Sequence, residues 1–214
     1  MTRPRVLIAD DHPVFLAGLR TLLEAECEIV GVVDDGRSLV EAAGRLQPEV
    51  IVMDIGLPLL NGIDAARQMK KDFPEIKILF VTMHESPSYL RDALAAGATG
   101  YVLKTSAREE LLGALRDVIR NRIHVSPGFA EEIVEEFERY PHRFASSAPV
   151  LTARQREILQ LVAEGRTAKE IASILRIALQ TVAFHKHTIM DKLGLRTTAE
   201  LTKFAIQEGL IGEH

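Results

Sequence analysis

Residues 50–62 read Val50-Ile51-Val52-Met53-Asp54-Ile55-Gly56-Leu57-Pro58-Leu59-Leu60-Asn61-Gly62. Four consecutive apolar residues end at a carboxylate, and a loop then carries the chain to Gly62, where a helical pattern begins. An unbroken apolar run of this length is the pattern of a strand covered on both faces, as a parallel sheet requires. Runs of the same kind flank it: Val6-Leu7-Ile8-Ala9, Ile29 to Val33, Ile78 to Val81, and Tyr101-Val102-Leu103. Between them, Pro13–Glu24, Ser38–Gln47, Gly62–Asp72, Pro87–Ala96 and Ala107–Arg120 have helical length and apolar spacing. Parallel strands need crossover connections, so the alternation predicts a doubly wound α/β domain over residues 1–120, with a five-stranded parallel sheet.

The texture changes after residue 120. Ser126-Pro127 has the form of an N-cap followed by Pro at N1, opening a short acidic helix through about Tyr140. Pro141 to Pro149, with Ser146-Ser147-Ala148, has linker composition, so residues 121–149 are read as a linker with a short helix. From residue 150 to 214 the pattern is wholly helical. Thr152 caps a first helix, Thr167 a second over Ala168–Leu175, and Arg176-Ile177-Ala178 makes a short turn. A third helix runs from about Leu179 to Leu193, with Val182, His185, Ile189 and Leu193 as its buried stripe, and Gly194 is suited to end it. A fourth covers about Thr197 to Glu208. Two helices joined by a short turn, the second with a polar outer face, form a helix-turn-helix.

Composition fits two soluble domains: 47% hydrophobic and 26% charged residues support packed cores rather than disorder. The one cysteine, Cys27, excludes an internal disulfide and is expected to be a small buried hydrophobe. There is no signal-peptide pattern or apolar run of membrane-spanning length, which makes a cytoplasmic location the expectation, with no membrane partner. Net charge is −4, but it is unevenly spread. Residues 1–120 carry 14 Lys/Arg against 18 Asp/Glu, residues 121–149 carry 3 against 5, and residues 150–214 carry 9 against 7. A mildly basic tail permits DNA binding without requiring it.

In doubly wound sheets, ligands collect at the carboxyl ends of the strands. Asp10 and Asp11 follow the first strand, Asp54 the third, Thr82 the fourth and Lys104 the fifth. Three clustered carboxylates repel one another, and burying them is costly without a compensating cation. A hard divalent ion held by oxygen supplies that, with Mg²⁺ the natural one where phosphate is handled. Lys104 adds a point charge for a phosphoryl oxygen, and Thr82 a hydroxyl donor. His12 and His84 are set aside as ligands, because a phosphate-linked hard cation prefers oxygen.

These residues resemble the receiver domain of two-component response regulators. The matching segments are Asp10-Asp11-His12-Pro13, Met53 to Pro58 with Asn61-Gly62, Val81-Thr82, and Gly97 to Lys104. The resemblance implies a flavodoxin-like fold in which Asp54 accepts a phosphoryl group from a sensor histidine kinase. It implies Mg²⁺ held by Asp11, Asp54 and the backbone carbonyl of Gly56, with Asp10 assisting through water. Thr82 and Tyr101 become the switch pair, with Thr82 moving toward the phosphoryl group and Tyr101 turning into the space it leaves. Lys104 binds phosphoryl oxygens. Leu59-Leu60 departs from the more usual residues in the loop beside Asp54, and His84 stands two after Thr82, where smaller residues are common.

Residues 150–214 resemble the LuxR/NarL-type DNA-binding domain. The resemblance rests on Leu151-Thr152, Arg154, Arg156-Glu157, Ala163-Glu164-Gly165, Lys169 to Ala172, Thr181-Val182, His185, Ile189-Met190 and Lys192-Leu193-Gly194. It implies double-stranded promoter DNA as partner and a homodimer when phosphorylated or DNA-bound, with RNA polymerase as a further partner. The candidate contact residues are Lys169, Gln180, Thr181, Ala183, Phe184, Lys186, His187 and Thr188. Lys169 and Lys186 are assigned to phosphates, and Phe184 to a thymine methyl. Ala183 stands where relatives often carry a basic or amide side chain. His185 belongs to the core stripe rather than to base readout, and Leu201 and Phe204 are either dimer contacts or core.

The chain is read as a regulator and not an enzyme. An aspartate-dependent phosphatase needs Asp-x-Asp, and the residue two after Asp54 is Gly56. Gly-rich phosphate loops, nucleophile elbows and zinc-helix motifs are absent from the sequence. The alternative is a DNA-binding regulator that works without phosphorylation and uses the receiver as an interaction module.

Overall fold

The computed structural model describes residues 3–127, 129–130 and 151–211. They fall into two compact units, one α/β and one helical. In the first unit, β1 (Arg5–Ala9), β2 (Glu28–Val33), β3 (Val50–Met53), β4 (Lys77–Thr82), β5 (Gly100–Leu103) and β6 (His124–Val125) make one sheet. Its order is β2-β1-β3-β4-β5-β6, and every pairing is parallel. The intervening helices are α1 (Pro13–Leu23), α2 (Gly36–Leu46), α3 (Gly62–Asp72), α4 (Pro87–Ala95) and α5 (Arg108–Ile119). The order reverses direction at β1 and β3, which opens a crevice beyond their carboxyl ends.

The sheet therefore has six strands, not the expected five. The sixth is two residues long and pairs Gly100 with His124 and Tyr101 with Val125. So short a segment has no apolar run to betray it, and it lies in the stretch read as linker. Of the acidic helix expected after it, Pro127, Phe129 and Ala130 are helical, and the Ala130 N–H donates to the Ser126 carbonyl at 2.9 Å. The rest of that helix and the Pro141 to Pro149 linker lie outside the described residues.

Alternation along each strand sends side chains to both faces. Val6, Ile8, Val50, Val52, Leu79, Val81 and Val102 pack with Leu19 and Leu23 of α1 and Leu111, Leu115 and Val118 of α5. Their alternates Leu7, Ile51, Met53 and Phe80 are equally buried, so helices cover both faces. Cys27 joins the first cluster, and its thiol is pushed up to about 11, first by burial and then by Glu26. Helix α2 begins two residues earlier than its apolar spacing predicts. Asp35 sets that start, its Oδ1 accepting the N–H groups of Arg37 and Ser38 at 2.8 Å each.

The second unit holds α6 (Ala153–Ala163), α7 (Ala168–Leu175), α8 (Leu179–Leu193) and α9 (Thr198–Gln207). Three of the four open on a capping box: Thr152 with Gln155, Thr167 with Glu170, and Thr197 with Glu200. Each cap contributes about 1 kcal/mol and fixes where its helix starts. Ile158, Ile171, Leu175, Val182, Ile189, Leu201 and Ala205 form the core. In the stripe expected on α8, Val182 and Ile189 are fully buried, whereas His185 and Leu193 are half-buried. Leu201 is core, and Phe204 packs partly buried against the same cluster. Gly194 ends α8 in the left-handed conformation at φ 67°.

Gly62 fixes the loop after β3. A Cβ there would lie 2.2 Å from the Asp54 carbonyl oxygen, and its N–H donates to the Ile55 carbonyl at 2.8 Å. Gly62→Ala should therefore lower stability by about 2 kcal/mol or more, seen as an earlier urea midpoint, because backbone and not a flexible side chain must move.

Candidate functional site

Backbone hydrogen bonds along the strand ends put the sequence-selected residues side by side. The Asp10 N–H donates to Val33, the Asp54 N–H to Ala9 and the Lys104 N–H to Thr82, at 3.1, 3.0 and 2.8 Å. Asp10 and Asp54 are almost fully buried, and Thr82 is completely so. Lys104 Nζ lies 2.7 Å from Asp10 Oδ2 and 2.7 Å from Asp54 Oδ2, and 4.7 Å from the centre of the Phe15 ring. The remaining oxygen of Asp54 accepts the Ile55 N–H at 2.6 Å, and that of Asp10 accepts the His12 N–H at 2.9 Å. Gly56 closes the cluster, its would-be Cβ 3.9 Å from Asp54 Oδ2.

The electrostatics follow from this crowding. Burial holds the Asp10 carboxyl above its ordinary value, and the hydrogen bonds from Lys104 and the His12 N–H offset only part of that rise. For Lys104, burial works against the charged form, but Asp54 and Asp10 together outweigh it and hold the ammonium above the usual lysine value. The pocket is thus short of positive charge.

The residues present suit a divalent cation. Asp10, Asp11, His12 and Asp54 each offer a ligand atom, all within 4.8 Å of one another. Asp11 Oδ1 is buried and lies 2.8 Å from His12 Nδ1, on the same side as the other carboxylates. Lys104 pairs with Asp10 and Asp54, and burying three carboxylates so close together is costly without further positive charge.

Thr82 and Tyr101 meet at a residue that the sequence marked only as a departure. Thr82 Oγ1 accepts the His84 N–H at 3.3 Å, and the Tyr101 hydroxyl donates to the His84 carbonyl at 2.8 Å. The His84 ring stacks on Tyr89 of α4, with centroids 4.1 Å apart. Burial lowers the His84 imidazole below its ordinary value despite Asp54 nearby. Tyr101 is already inside, fully buried and stacked on Phe129 with centroids 5.5 Å apart. No local sequence signal pointed to Phe129 or Phe15. Each acts through a contact that only the fold creates.

In the helical unit, Gln180, Ala183, Phe184 and His187 lie exposed along α8, and Lys169 is exposed on α7. Phe184 is 66% exposed, unusual for a phenylalanine. Three polar candidates have partners within the unit. Lys186 Nζ donates to Thr198 Oγ1 at 2.9 Å, Thr188 Oγ1 donates to the Phe184 carbonyl at 2.9 Å, and His187 Nε2 lies 3.3 Å from Asp191 Oδ2. Thr181 is half-buried. His185 keeps its Nδ1 buried, on the inner side of the helix as expected.

Residues 6–116 match the family model for the response regulator receiver domain, and residues 149–205 match that for bacterial regulatory proteins of the luxR family. The chain belongs to the response regulators. It is similar to the transcriptional regulatory protein MctR of Rhizobium johnstonii, at 33% identity over 98% of this chain and 96% of that one. It is also similar to the oxygen regulatory protein NreC of Staphylococcus carnosus, at 35% identity over 97% of this chain and 99% of that one. Among solved structures, the RcsB response regulator of Salmonella typhimurium aligns with a TM-score of 0.64 and 28% identity, covering 97% and 99% of the two chains. RcsB has also been solved as two dimers bound to two parallel DNAs, with a TM-score of 0.59 at 27% identity and coverage of 95% and 98%. This response regulator therefore couples a receiver to a LuxR-type DNA-binding domain and is a DNA-binding regulator of transcription. No helix among its described residues is long and apolar enough to cross a membrane.

Lys104→Met would leave Asp10 and Asp54 facing each other without their shared ammonium. Breaking a buried pair in this way costs about 3 kcal/mol at neutral pH. Without the ammonium, the Asp10 carboxyl rises further above its unfolded value, so the protonated fold is favoured at low pH and that advantage is lost as pH rises through the raised value. The deficit against wild type should accordingly narrow as pH falls through the carboxylate range, which thermal melts of both proteins at a series of pH values would show.

Proposed function

We propose that Asp54 of this response regulator accepts a phosphoryl group from a sensor histidine kinase, and that the modified receiver controls dimerisation and promoter binding. The observation that carries this is the Asp54 carboxylate held 2.7 Å from Lys104 Nζ, beside Asp10 and Asp11, at the sheet's switch point. A carboxylate oxygen of Asp54 attacks the phosphorus of a phosphohistidine. The new O–P bond forms as the P–N bond breaks, and the imidazole leaves with its electron pair. Lys104 then shifts its ammonium toward a phosphoryl oxygen. Asp10, Asp11, Asp54 and the Gly56 carbonyl would hold Mg²⁺, which when bound supplies charge neutralisation at the phosphoryl oxygens.

Phosphorylation adds about −1.5 to −2 charge at neutral pH. Thr82 would answer by turning its hydroxyl toward the new oxygens, giving up the His84 N–H. Because Tyr101 bonds the same residue's carbonyl, the change reaches Tyr101 through His84, and from there Phe129 at the start of the segment that follows the sheet. Tyr101 acts from its buried position, not by turning in from outside. On this reading residues 1–120 are the phosphoacceptor domain and residues 150–214 the DNA-binding domain, joined through 121–149. A cytoplasmic location accompanies the role, and RNA polymerase is a natural further partner for a promoter-bound regulator.

On DNA, α8 would lie in the major groove. Lys169 and Lys186 meet phosphates; Gln180, Thr181, His187 and Thr188 offer polar groups, and Ala183 and Phe184 an apolar face. Treating the full chain with a small phosphodonor and Mg²⁺ should add one phosphoryl group by mass and tighten promoter binding, and Asp54→Ala should abolish both. Wild type that binds DNA but never gains the mass would make the receiver an interaction module. Lys186→Ala should weaken all sequences alike and lower the salt slope by about 1, whereas Phe184→Ala should change which sequences are preferred; binding titrations at several salt concentrations separate the two.

A further inference from the structure

In a helix-turn-helix, the N-terminal residues of the second helix contact base edges. In α8 those positions carry an apolar strip turned to solvent. Leu179 is 53% exposed and Phe184 66%, and Ala183, one turn after Leu179, is exposed beside them. Phe184 is supported from behind. Its ring meets the edge of the His185 ring, with centroids 5.7 Å apart and planes at 65°, a favourable arrangement for two aromatic rings. His185 is half-buried with Nδ1 inside, so the support is anchored in the core of the helical unit.

The chemistry of the strip limits what it can read. The side chains of Leu179, Ala183 and Phe184 have no donor or acceptor, so they cannot tell the hydrogen-bonding edge of one base pair from that of another. The apolar feature that a base pair presents in the major groove is the methyl group on C5 of a pyrimidine. Thymine carries it, and uracil and cytosine lack it. In 5-methylcytosine the same methyl sits beside a different hydrogen-bonding edge. A protein partner would call for a wider apolar patch, whereas this strip is bordered by the polar side chains of Gln180 and His187. We propose that Phe184, with Leu179 and Ala183 beside it, recognises the pyrimidine C5-methyl group as such, so that thymine and 5-methylcytosine are preferred alike over uracil and cytosine. The inference rests on the placing of α8 in the major groove, and goes beyond it by separating the methyl group from the identity of the base.

The test uses the full chain, with phosphodonor and Mg²⁺ present throughout, and synthetic duplexes. A sequence that wild type enriches from a random duplex library is remade with uracil for thymine, one position at a time. Where that weakens binding, the pair is also replaced by cytosine·guanine and by 5-methylcytosine·guanine. Wild type should lose about fourfold from thymine to uracil, the worth of one buried methyl group, and gain about the same from cytosine to 5-methylcytosine. Both steps should vanish in Phe184→Ala, with the salt slope unchanged because no phosphate contact is lost. Phe184 is exposed, so the variant is expected to fold, and a thermal melt verifies that; should it fail, Phe184→Ser provides the same comparison. Uracil tolerated at every position would overturn methyl reading and leave DNA binding standing. So would a loss with uracil unmatched by a gain with 5-methylcytosine, or steps that persist in Phe184→Ala. Wild type that enriches no sequence would overturn the placing of α8 in the groove, and this inference with it.

Discussion

One ammonium is shared by two buried carboxylates from different strands. Lys104 Nζ sits 2.7 Å from Asp10 at the end of β1 and 2.7 Å from Asp54 at the end of β3, and it is itself carried by the end of β5. Three segments distant in sequence are therefore joined at a point where like charges would otherwise repel. Interactions of this kind add little net stability over apolar packing, but they are costly to break from one side. The arrangement therefore resists change until another source of charge enters. A phosphoryl group or a divalent cation is such a source, so the interaction that holds the strand ends together is also the one that incoming charge must reorganise.

The sheet makes this possible through its order. With β1 between β2 and β3, and β3 continuing to β4 and β5, the carboxyl ends of the central strands open onto one crevice. Ladder hydrogen bonds from Asp10, Asp54 and Lys104 to the neighbouring strand fix the Cα positions, so side-chain geometry is set by backbone pairing and not by loop conformation. Gly62 belongs to the same design. It lets α3 begin against the Asp54 carbonyl, where any side chain would collide.

Much of this was legible in the sequence, for reasons that differ between parts. Buried parallel strands leave long apolar runs, and β1, β3 and β4 were read nearly to their ends. The acidic residues were legible because each directly follows such a run. Strand β6 was not, since two residues of edge pairing need no apolar signature. The start of α2 was missed because a cap, Asp35, and not the apolar spacing decided it. At the site, the link from Thr82 to Tyr101 through the backbone of His84 was invisible, because main-chain hydrogen bonds leave no mark on residue type.

The helical unit shows the same contrast between residue type and disposition. By type, α8 carries a row of polar groups able to read bases. By disposition, Lys186 is bonded to Thr198, Thr188 to its own helix, and His187 lies against Asp191. Each must surrender a partner to meet DNA, which reduces its net contribution. Gln180, Ala183 and Phe184 need surrender nothing. Two of those three are apolar, and apolar contacts distinguish the thymine methyl in the major groove without supplying a bidentate pattern. A single copy of such a surface, in a region with only 9 Lys/Arg against 7 Asp/Glu, has little electrostatic pull on the phosphate backbone. On the function proposed above, discrimination would come from placing two copies on paired half-sites, so that control of pairing would be control of DNA binding. A receiver whose surface responds to charge at Asp54 would then provide a physical handle on that pairing.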